Sequence, residues 1–556
     1  MSLLSSLRAS AAAAALRLRR SPWSPELFLL GLSLFWVLVA NRAFFAALGA
    51  DLSQASGWFF VLAMAVFLIA THGLLLALTA WRGLFKPMLS VLILMAAGTS
   101  YFTGQFGIYL DPSMVRNVMR TDLAESRELI SLALLLHMLL VAGVPLWVLW
   151  RMRWEPRPWW SGTGRRLVFA TVMGVLALAA VLSVFQPFAS LMRNHKEVRY
   201  LITPANAVWS LGQVLWGDAQ GAAAPRQPIG LDARMAQAPD SRERPLVLVL
   251  VLGETVRAAN WGLNGYERQT TPQLAALDVM NAGAARACGT NTEVSVPCMF
   301  APVGSRDYDE KRIRGQESLL HVLHRAGIQV HWRDNQSGCK GVCDSLPLEM
   351  VTAAMAPDLC EGGRCLDEAL FRDLQDRLST VVQGRQVHLW VLHMLGSHGP
   401  SYFRRYPAAF AQFRPECRND DLKACSVPEI VNAYDNAVLY TDHLLAQAIR
   451  TLQAQQDRVD SALLYVSDHG ESLGEKGLFL HGIPYAIAPD VQTRVPMVFW
   501  SSAGFAAASG VASDCLRRRW SDGSLSHDHL FHSVLGLLGV ETGLREKSLD
   551  LTEGCR

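Results

Sequence analysis

The sequence predicts a membrane protein in which five transmembrane helices precede an exported α/β domain. Three observations support this fold class. First, the chain of 556 residues is 51% hydrophobic and 18% charged, whereas soluble domains contain about 25% charged residues. Second, eleven of the sixteen tryptophans lie at or before Trp216, and all ten cysteines lie at or after Cys288. Third, short apolar runs alternate with helical stretches in the second half, a pattern typical of a mostly parallel sheet.

Long windows without charge identify the predicted spanning helices, because crossing the hydrocarbon core takes about 20 apolar residues. Four such windows cover residues 52–81, 87–110, 129–150 and 167–192. A weaker fifth span covers residues 27–45, with Arg42 near an interface where its guanidinium reaches water. The alternative for this span is a signal peptide, since Arg17, Arg19 and Arg20 precede an apolar run. The length of the run and the spans that follow favour a transmembrane helix.

Basic residues in the short loops predict the orientation of these spans, because cytoplasmic loops carry an excess of Lys and Arg. The N-terminus and the loops after the second and fourth spans are the basic ones, with Arg8, Arg17, Arg19, Arg20, Arg82, Lys86, Arg151, Arg153, Arg157, Arg165 and Arg166. This pattern places the N-terminus in the cytoplasm, and five crossings place everything after Met192 on the far side. The global net charge of +3 gives no indication of a nucleic-acid partner.

Residues 1–192 therefore form the predicted membrane domain, 193–245 a connector and 246–556 an exported domain. The stretch 221–245 is rich in Ala, Pro, Arg and Gln, which is typical of a loose linker. Disulfides are favoured over zinc ligation by thiolate, because the domain is exported and no CxxC pair occurs. Local pairing is the simplest connectivity and leaves Cys515 and Cys555 undecided. The local pairs are Cys288 with Cys298, Cys339 with Cys343, Cys360 with Cys365, and Cys417 with Cys425.

Carboxylates and imidazoles follow several apolar runs of the exported domain. In a parallel sheet the carboxyl ends of the strands meet at one edge, where active sites lie. In chain order these residues are Glu254 after the run 246–252, His398 after 387–392, and Asp468, His469 and His481 after 462–466. Oxygen and imidazole ligands without thiolate suit a borderline metal such as zinc. The alternative is a set of ordinary solvated residues at loop ends.

The segment between Cys288 and Cys298 supplies candidate nucleophiles. A disulfide across it would hold Thr290, Thr292 or Ser295 rigidly, and the residues alone do not choose among these three hydroxyls. A hydroxyl bound to Zn²⁺ loses its proton near neutral pH and becomes a nucleophile. With Lys340 to neutralise a phosphate oxygen, the pattern indicates phosphoryl chemistry.

Six phrases at these positions resemble the signatures of one enzyme family. They are Gly-Glu-Thr at 253–255, Ser-Val-Pro-Cys-Met-Phe at 295–300, Trp-Arg-Asp-Asn at 332–335, Ser-His-Gly-Pro at 397–400, Asn-Ala-Tyr-Asp-Asn at 432–436 and Tyr-Val-Ser-Asp-His-Gly-Glu-Ser-Leu-Gly-Glu at 465–475. Over nearly its whole length the chain resembles the lipid A phosphoethanolamine transferases, which include the polymyxin-resistance enzymes. The resemblance implies an alkaline phosphatase/sulfatase-like α/β domain in the periplasm, anchored to a bacterial inner membrane.

The resemblance also implies the reaction. Phosphoethanolamine passes from phosphatidylethanolamine to a lipid A phosphate through a covalent intermediate on Thr292, and the choice of Thr292 over Thr290 rests on the resemblance. One firmly bound Zn²⁺ is implied, with the ligands Glu254, Thr292, Asp468 and His469. Membrane lipids are then the partners, and we expect a monomer that binds no nucleic acid.

Further residues of the site are implied in the same way. His398 and His481 would lie at the transferred phosphate, as general acid or base, or at a second zinc. Lys340 would lie alongside, and Gln336 stands where the family usually has Asn, so that its contact differs. His393 matches a supporting histidine of the site.

A membrane-proximal motif completes the resemblance. Asn117, Thr121 and Glu125 are spaced i, i+4, i+8, so that on one helix they share a face. Residues matching the family's motif here help to shape the lipid-facing part of the site. The alternative is a solvated helix face, because Arg116 and Arg120 lie close by in the sequence.

Other functions are weaker matches to the same sequence. A sulfatase needs a Cys or Ser in a C/S-x-P-x-R context, whereas Cys298 is followed by Met299, Phe300 and Ala301. A different acceptor, such as a core sugar or a periplasmic glucan, stays open, as does another phosphodiesterase of this fold. A transporter or sensor whose exported domain only binds a ligand would need no nucleophile.

Overall fold

The computed structural model describes residues 23–78, 84–121, 123–155, 158–222, 226–237, 242–361 and 363–556, without the side chains of 124, 125 and 220–222. The chain divides into two compact units. The first comprises Met1–Val115 and Ser131–Gln213, and the second comprises Arg116–Ile130 and Val214–Arg556. The predicted domain boundaries near residues 192 and 245 stay predictions. Arg8, Arg17, Arg19, Arg20, Arg82 and Arg157, on which part of the predicted orientation depends, lie outside the described residues.

Long apolar helices form the first unit, as the charge-free windows predict. Four helices of the described chain are long and apolar enough to cross a membrane: Ala55–Leu78, Phe85–Phe106, Leu132–Arg151 and Trp159–Ser183. The weaker first span consists of two shorter helices, Pro25–Val39 and Arg42–Ala47. The remaining helices of this half are Phe185–Asn194, the 3-10 helix Lys196–Leu201 and Ala205–Ala222.

Two of these helices are interrupted for identifiable reasons. The first span breaks at Asn41, whose side-chain amide donates to the carbonyl of Trp36 at 3.0 Å and of Thr203 at 2.9 Å. Because Thr203 is distant in sequence, the apolar pattern alone does not predict this break. In the third long helix a π-helical turn, Leu139–Gly143, precedes Pro145, which lacks the N–H needed to continue a regular helix.

A seven-stranded sheet forms the centre of the second unit. Its strands are β1 Leu246–Gly253, β2 Met280–Asn281, β3 Gln329–Asp334, β4 Leu348–Met350, β5 Val387–His393, β6 Asp460–Ser467 and β7 Met497–Ser501, in the spatial order β2-β7-β6-β1-β5-β3-β4. β6, β1, β5, β3 and β4 are parallel, whereas β7 is antiparallel to β6. Every residue of β1 is buried, which explains its continuous apolar run. The predicted mostly parallel sheet is confirmed.

Helices and short strand pairs surround this sheet. The longest helix, Val427–Ala454, begins with a capping box in which Ser426 and Glu429 satisfy each other's backbone N–H groups. The other helices are Pro112–Arg120, Leu123–Glu128, Pro272–Ala275, Thr292–Met299, Glu310–Gly315, Leu319–Arg325, Glu368–Phe371, Leu374–Val381, Asp490–Thr493, Ala503–Ser509, Ser513–Trp520 and Asp528–Leu537. Short strands pair as Arg234–Met235 with Val540–Glu541, Ala285–Arg286 with Arg494–Val495, Cys360–Glu361 with Arg364–Cys365, and Ser472–Leu473 with Phe479–Leu480.

Five disulfides link all ten cysteines of the second unit. The four predicted local pairs are present: Cys288–Cys298, Cys339–Cys343, Cys360–Cys365 and Cys417–Cys425. Cys515 and Cys555, which the sequence left undecided, form the fifth pair across 40 residues. The interpretation of the cysteines as disulfides rather than zinc ligands is therefore confirmed.

Candidate active site

The carboxyl ends of adjacent parallel strands bring the predicted ligands together. Glu254 directly follows β1, and Asp468 and His469 directly follow the neighbouring strand β6. The two strands approach closely here: a Cβ at Gly253 would lie 2.5 Å from the hydroxyl of Tyr465. Glycine at this position therefore lets β1 deliver Glu254 into the same space as the β6 residues.

Glu254, Asp468 and His469 form one buried group, and their ligand atoms all lie within 4.8 Å of one another. Nε2 of His469 is 3.3 Å from Oε1 of Glu254 and 3.3 Å from Oδ2 of Asp468. All three side chains are 0% exposed. No other such group of His, Cys, Asp and Glu occurs within the described part of the chain.

Two acids and one imidazole in a buried site perturb one another's protonation. Burial acts to raise the pKa of Glu254, but the hydrogen bond and charge of His469 outweigh it and lower that pKa. Burial and then the Glu254 charge raise the pKa of Asp468 to about 7. Burial acts to lower the pKa of His469, but the charges of Asp468 and Glu254 outweigh it and raise the pKa to about 10. Such mutual perturbation is typical of sites that bind a cation or perform catalysis.

Thr292 directs its hydroxyl at this buried group. It is the first residue of the helix Thr292–Met299, which Asn291 caps by accepting from the N–H of Val294 at 3.0 Å. Oγ1 of Thr292 lies 3.2 and 3.1 Å from the two carboxylate oxygens of Glu254 and 3.4 Å from Nε2 of His469. The Cys288–Cys298 disulfide brackets the segment, as the sequence predicted.

The other two candidate hydroxyls are engaged elsewhere. Thr290 donates to the carbonyl of Ile483 at 2.7 Å, and Ser295 donates to the carbonyl of Asp468 at 2.5 Å. His527 supports the same loops, because it hydrogen-bonds the carbonyl of Ser467 at 2.9 Å. Of the three candidate hydroxyls, only that of Thr292 lies within hydrogen-bonding distance of the acid and imidazole group.

The residues of the group fit a zinc ion. Oδ2 of Asp468 is buried and makes no hydrogen bond among the described residues, with Nε2 of His469 at 3.3 Å. A buried oxygen without a hydrogen bond is costly unless a nearby positive charge compensates it. A bound cation would satisfy this oxygen. Three oxygen donors and one imidazole nitrogen, from Glu254, Thr292, Asp468 and His469, form a four-ligand set of the kind that Zn²⁺ accepts.

His393, the last residue of β5, is oriented by the carboxylate of Asp334. Its Nδ1 lies 2.8 Å from Oδ2 of Asp334 at the end of β3, which also accepts from the indole N–H of Trp332 at 2.8 Å. Nε2 of His393 then lies 4.0 Å from Oε2 of Glu254 and has no hydrogen-bond partner in the described chain. A buried carboxylate that fixes an imidazole in this way sets which nitrogen faces the site.

His398 and His481 lie together beside the buried group. Their ring centroids are 5.3 Å apart, and the ring of His481 is 4.5 Å from that of His469. Nδ1 of His481 lies 2.8 Å from Oε2 of Glu471, whose Oε1 accepts from the hydroxyl of Tyr402 at 2.7 Å. Burial, the largest influence, lowers the pKa of His481, so that a neutral imidazole is available at neutral pH.

The loop after β3 adds an amide and an ammonium group. Nε2 of Gln336 donates to Oε2 of Glu254 at 3.4 Å. Nζ of Lys340 donates to Oγ of Ser337 at 2.5 Å and lies 3.5 Å from Oε1 of Glu293. Because Glu293 directly follows Thr292 in the chain, this ion pair holds the ammonium group near the candidate nucleophile.

Comparisons with known proteins agree with this geometry. The "Sulfatase" family model matches residues 247–540, and the model "Phosphoethanolamine transferase EptA/EptB" matches residues 68–218. The chain is 37% identical to phosphoethanolamine transferase EptA of Escherichia coli strain K12, over 97% of this chain and 99% of that protein. It is 36% identical to phosphatidylethanolamine transferase Mcr-1 of Escherichia coli, over 93% of this chain and 95% of that protein. The chain belongs to the phosphoethanolamine transferase family.

A solved structure extends the likeness to the whole fold of this phosphoethanolamine transferase. The integral membrane protein lipooligosaccharide phosphoethanolamine transferase A of Neisseria meningitidis superposes with a TM-score of 0.90 at 36% identity, covering 96% of this chain and 100% of that one. The predicted fold class, apolar membrane helices followed by a sulfatase-like α/β domain, is thereby confirmed. So is the predicted enzyme class.

The membrane-proximal motif of the transferase differs from its prediction in one respect. Asn117 lies in the helix Pro112–Arg120, whereas Glu125 lies in a second helix, Leu123–Glu128, so that the three motif residues do not share one continuous helix. The hydroxyl of Thr121 donates to the carbonyl of Asn117 at 2.8 Å, and such bonds compete with helical ones. The side chain of Glu125 lies outside the described residues.

Sequence reasoning missed the carboxylates that support the site's imidazole and ammonium groups. Asp334, Glu293 and Glu471 are buried beside His393, Lys340 and His481. A signal was available for two of them, since Asp334 and Glu471 lie inside the phrases 332–335 and 465–475 that carry the family resemblance. No motif marked Glu293.

Proposed function

We propose that the protein transfers phosphoethanolamine from phosphatidylethanolamine to a phosphate of lipid A through a covalent intermediate on Thr292. One observation carries the proposal: the hydroxyl of Thr292 lies within 3.4 Å of the buried Glu254 and His469. The names of two relatives support the donor and the acceptor class. One relative is called a phosphatidylethanolamine transferase, and another a lipooligosaccharide phosphoethanolamine transferase.

The first step is attack of Oγ1 of Thr292 on the phosphorus of phosphatidylethanolamine. The bond from Oγ1 to phosphorus forms, and the bond from phosphorus to the diacylglycerol oxygen breaks. The departing oxygen takes a proton, so that diacylglycerol leaves as an alcohol and phosphoethanolamine stays on Thr292. Glu254, Asp468 and His469 surround the attacking hydroxyl and, with Thr292, would hold a zinc ion. When bound, that ion would supply positive charge that favours the ionised hydroxyl and stabilises the phosphoryl oxygens.

The histidines beside the buried group fit the proton transfers. Glu471 holds Nδ1 of His481, which leaves Nε2 to face the site, and His398 lies next to it. Either imidazole is placed to accept the proton that the Thr292 hydroxyl loses and to give it to the diacylglycerol oxygen. In the second step the same imidazole would accept a proton from the acceptor phosphate and return it to Oγ1 of Thr292. His393, Gln336 and Lys340 would bind or orient the phosphoryl oxygens.

In the second step an oxygen of the acceptor phosphate attacks the phosphorus on Thr292. The new phosphorus–oxygen bond forms, the bond to Oγ1 breaks, and Thr292 regains its hydroxyl. Asn117, Thr121 and Glu125 would shape the part of the site that meets the lipids. Both substrates are then membrane lipids, in accord with a chain whose first half is apolar helices.

The placement in the cell follows the same reasoning. We propose a monomer in the bacterial inner membrane with a cytoplasmic N-terminus and a periplasmic catalytic domain. Five disulfides support an oxidising compartment for the second unit.

Mass spectrometry of lipid A from cells with and without the protein tests the acceptor. We expect an added phosphoethanolamine group on lipid A in cells that make the wild-type protein and none with Thr292→Ala. Unchanged lipid A together with a modified core sugar or glucan would reject the acceptor and retain the reaction class.

Peptide mapping of the purified full-length enzyme with phosphatidylethanolamine and no acceptor tests the intermediate. The adduct should map to Thr292 and persist in the matched variant Thr290→Ala, because the Thr290 hydroxyl is bonded to Ile483. An adduct on Thr290 or Ser295 would show that the nucleophile is wrongly assigned.

A further inference from the structure

A buried ion pair joins the segment 116–130 to the loop that carries His398, and both belong to the second unit. Glu128 is 7% exposed and Arg405 is 4% exposed. The Arg405 guanidinium binds both carboxylate oxygens of Glu128: Nη1 donates to Oε1 at 3.2 Å, and Nη2 contacts Oε2. Arg364, in the short hairpin closed by Cys360 and Cys365, lies 3.7 Å from the same carboxylate. Glu128 is therefore held by a bidentate, charged contact, whose fixed geometry makes it specific.

A third nitrogen of Arg405, Nε, bonds to the loop that carries His398. Its Nε donates to the backbone carbonyl of His398 at 2.8 Å. The guanidinium thus connects Glu128 directly to the residue whose imidazole lies beside His481. Lysine could not make this pair of contacts, because only a planar guanidinium presents several donors in fixed directions.

Other contacts restrain this loop on both sides of His398. On the C-terminal side, the hydroxyl of Ser401 donates to Oδ1 of Asp420 at 2.7 Å. On the N-terminal side, Asp367 accepts from the N–H groups of Leu395 and Gly396 at 2.7 and 2.8 Å, and the backbone N–H of Ser397 donates to the carbonyl of Glu254 at 3.0 Å. These bonds fix the residues before His398. The backbone carbonyl of His398 itself accepts from Arg405, and the contact with Glu128 sets the orientation of the Arg405 guanidinium.

We propose that Glu128 and Arg405 are positioning residues, which act on phosphoethanolamine transfer by fixing the backbone of His398. The inference rests on the proposed function, since it assigns His398 a part in the reaction. Burial acts to raise the pKa of Glu128, but the Arg405 charge and hydrogen bond outweigh it and lower that pKa. Glu128 is thus ionised at neutral pH, and the charged contact is present under working conditions.

The test measures steady-state transfer by the full-length protein in detergent, with Glu128→Gln, Arg405→Lys and His398→Ala singly and in pairs. We expect Glu128→Gln and Arg405→Lys to lower kcat about 10-fold or more, with KM for phosphatidylethanolamine little changed, because misplacing a catalytic group by ~1 Å can cost about 100-fold. In the His398→Ala background both substitutions should cause little further loss, since residues that act through one another are not additive. Thermal unfolding reports whether each variant folds.

Glu310→Gln is the matched control. It removes a carboxylate that binds Arg116, near the other end of the same segment, and Arg314. Within the described residues, Glu310 makes no hydrogen bond or ion pair with the His398 loop. This variant should retain kcat. An equal loss with Glu310→Gln would overturn the inference, because general docking of the segment would then explain the effect. Three other results would also overturn the inference. They are losses that are fully additive with His398→Ala, a wild-type kcat in Arg405→Lys, and unfolding of both Glu128→Gln and Arg405→Lys.

Thr292→Ala separates this inference from the proposed function. If Thr292→Ala still transfers phosphoethanolamine, the proposed function fails whatever the Glu128 variants do. If Thr292→Ala is inactive and Glu128→Gln matches the wild type, only the positioning role fails.

Discussion

Replacing Glu471 by glutamine removes a charge from behind His481 with almost no change of volume. Oε2 of Glu471 lies 2.8 Å from Nδ1 of His481, and Oε1 accepts from the Tyr402 hydroxyl at 2.7 Å. A glutamine offers only one acceptor oxygen, so one of these two donors loses its partner. If the amide N–H₂ faces His481, the imidazole must turn or change tautomer, and its Nε2 no longer has the protonation state that the reaction needs.

The expected size of the effect follows from the buried geometry. Hydrogen bonds to charged groups contribute about 1.5–3 kcal/mol, and each 1.36 kcal/mol of barrier changes the rate about tenfold. Glu471→Gln should therefore lower kcat/KM for transfer by about 10- to 100-fold. Zinc content should stay the same, because Glu471 is outside the proposed ligand set.

The assay is transfer to lipid A by the purified full-length enzyme, followed by mass spectrometry. Tyr402→Phe is the matched control, since it keeps the ring and the Glu471 charge but removes the hydrogen bond at Oε1, the carboxylate oxygen that does not contact His481. Its loss should be smaller, because Oε2 of Glu471 and its contact with Nδ1 of His481 stay in place. Equal rates for Glu471→Gln and the wild type, or a larger loss in Tyr402→Phe, would refute the proposed orientation of His481.

Three further outcomes are expected. Asp468→Asn should lower the zinc content measured by elemental analysis and abolish transfer, because it removes charge from the buried ligand group; unchanged zinc content would contradict the ligand assignment. Replacing Cys515 and Cys555 by serine should destabilise the second unit by about 4 kcal/mol, and replacing Cys339 and Cys343 by about 2 kcal/mol, because the first pair closes a loop of 40 residues and the second a loop of 4. Chemical unfolding measures both losses of stability, and equal losses would contradict the loop-length argument. Burial raises the pKa of Asp442 to about 6, so that this group stabilises the fold most below about pH 4 and its contribution is lost as pH rises through 6; Asp442→Asn should flatten the free energy of unfolding across this range, and an unchanged profile would contradict the shift.

Local sequence patterns predicted the strands that carry the site and the residues at their ends, because a pattern of this kind depends only on neighbouring residues in the sequence. The buried run 246–252 fixed β1, and the position of Glu254 at its end followed from the geometry of parallel strands. The same logic placed Asp468 and His469 after β6. The residues alone did not choose among Thr290, Thr292 and Ser295. The family resemblance implied Thr292, and only the fold shows which hydroxyl meets Glu254 and which meets a carbonyl.

Contacts between distant segments could not be predicted in this way. Asn41 breaks a helix by bonding to Thr203, and Glu128 binds Arg405, from which it is separated by 277 positions in the sequence. Neither pair leaves a periodic pattern, because each partner alone is an ordinary polar residue next to an apolar stretch. Such pairs become visible only when tertiary structure brings them together.

The place of Glu128 in the chain has a practical consequence for any attempt to study the catalytic half alone. A fragment that begins after residue 225 keeps the central sheet and all five disulfides but discards the carboxylate that faces Arg405 and Arg364. It also discards Arg120, which lies 2.9 Å from Glu293 beside Thr292. In the truncated protein the bidentate partner of Arg405 would be missing, and the guanidinium that donates to the carbonyl of His398 would be free to reorient. Kinetic constants from such a fragment would describe a site that the intact chain never presents to its substrates.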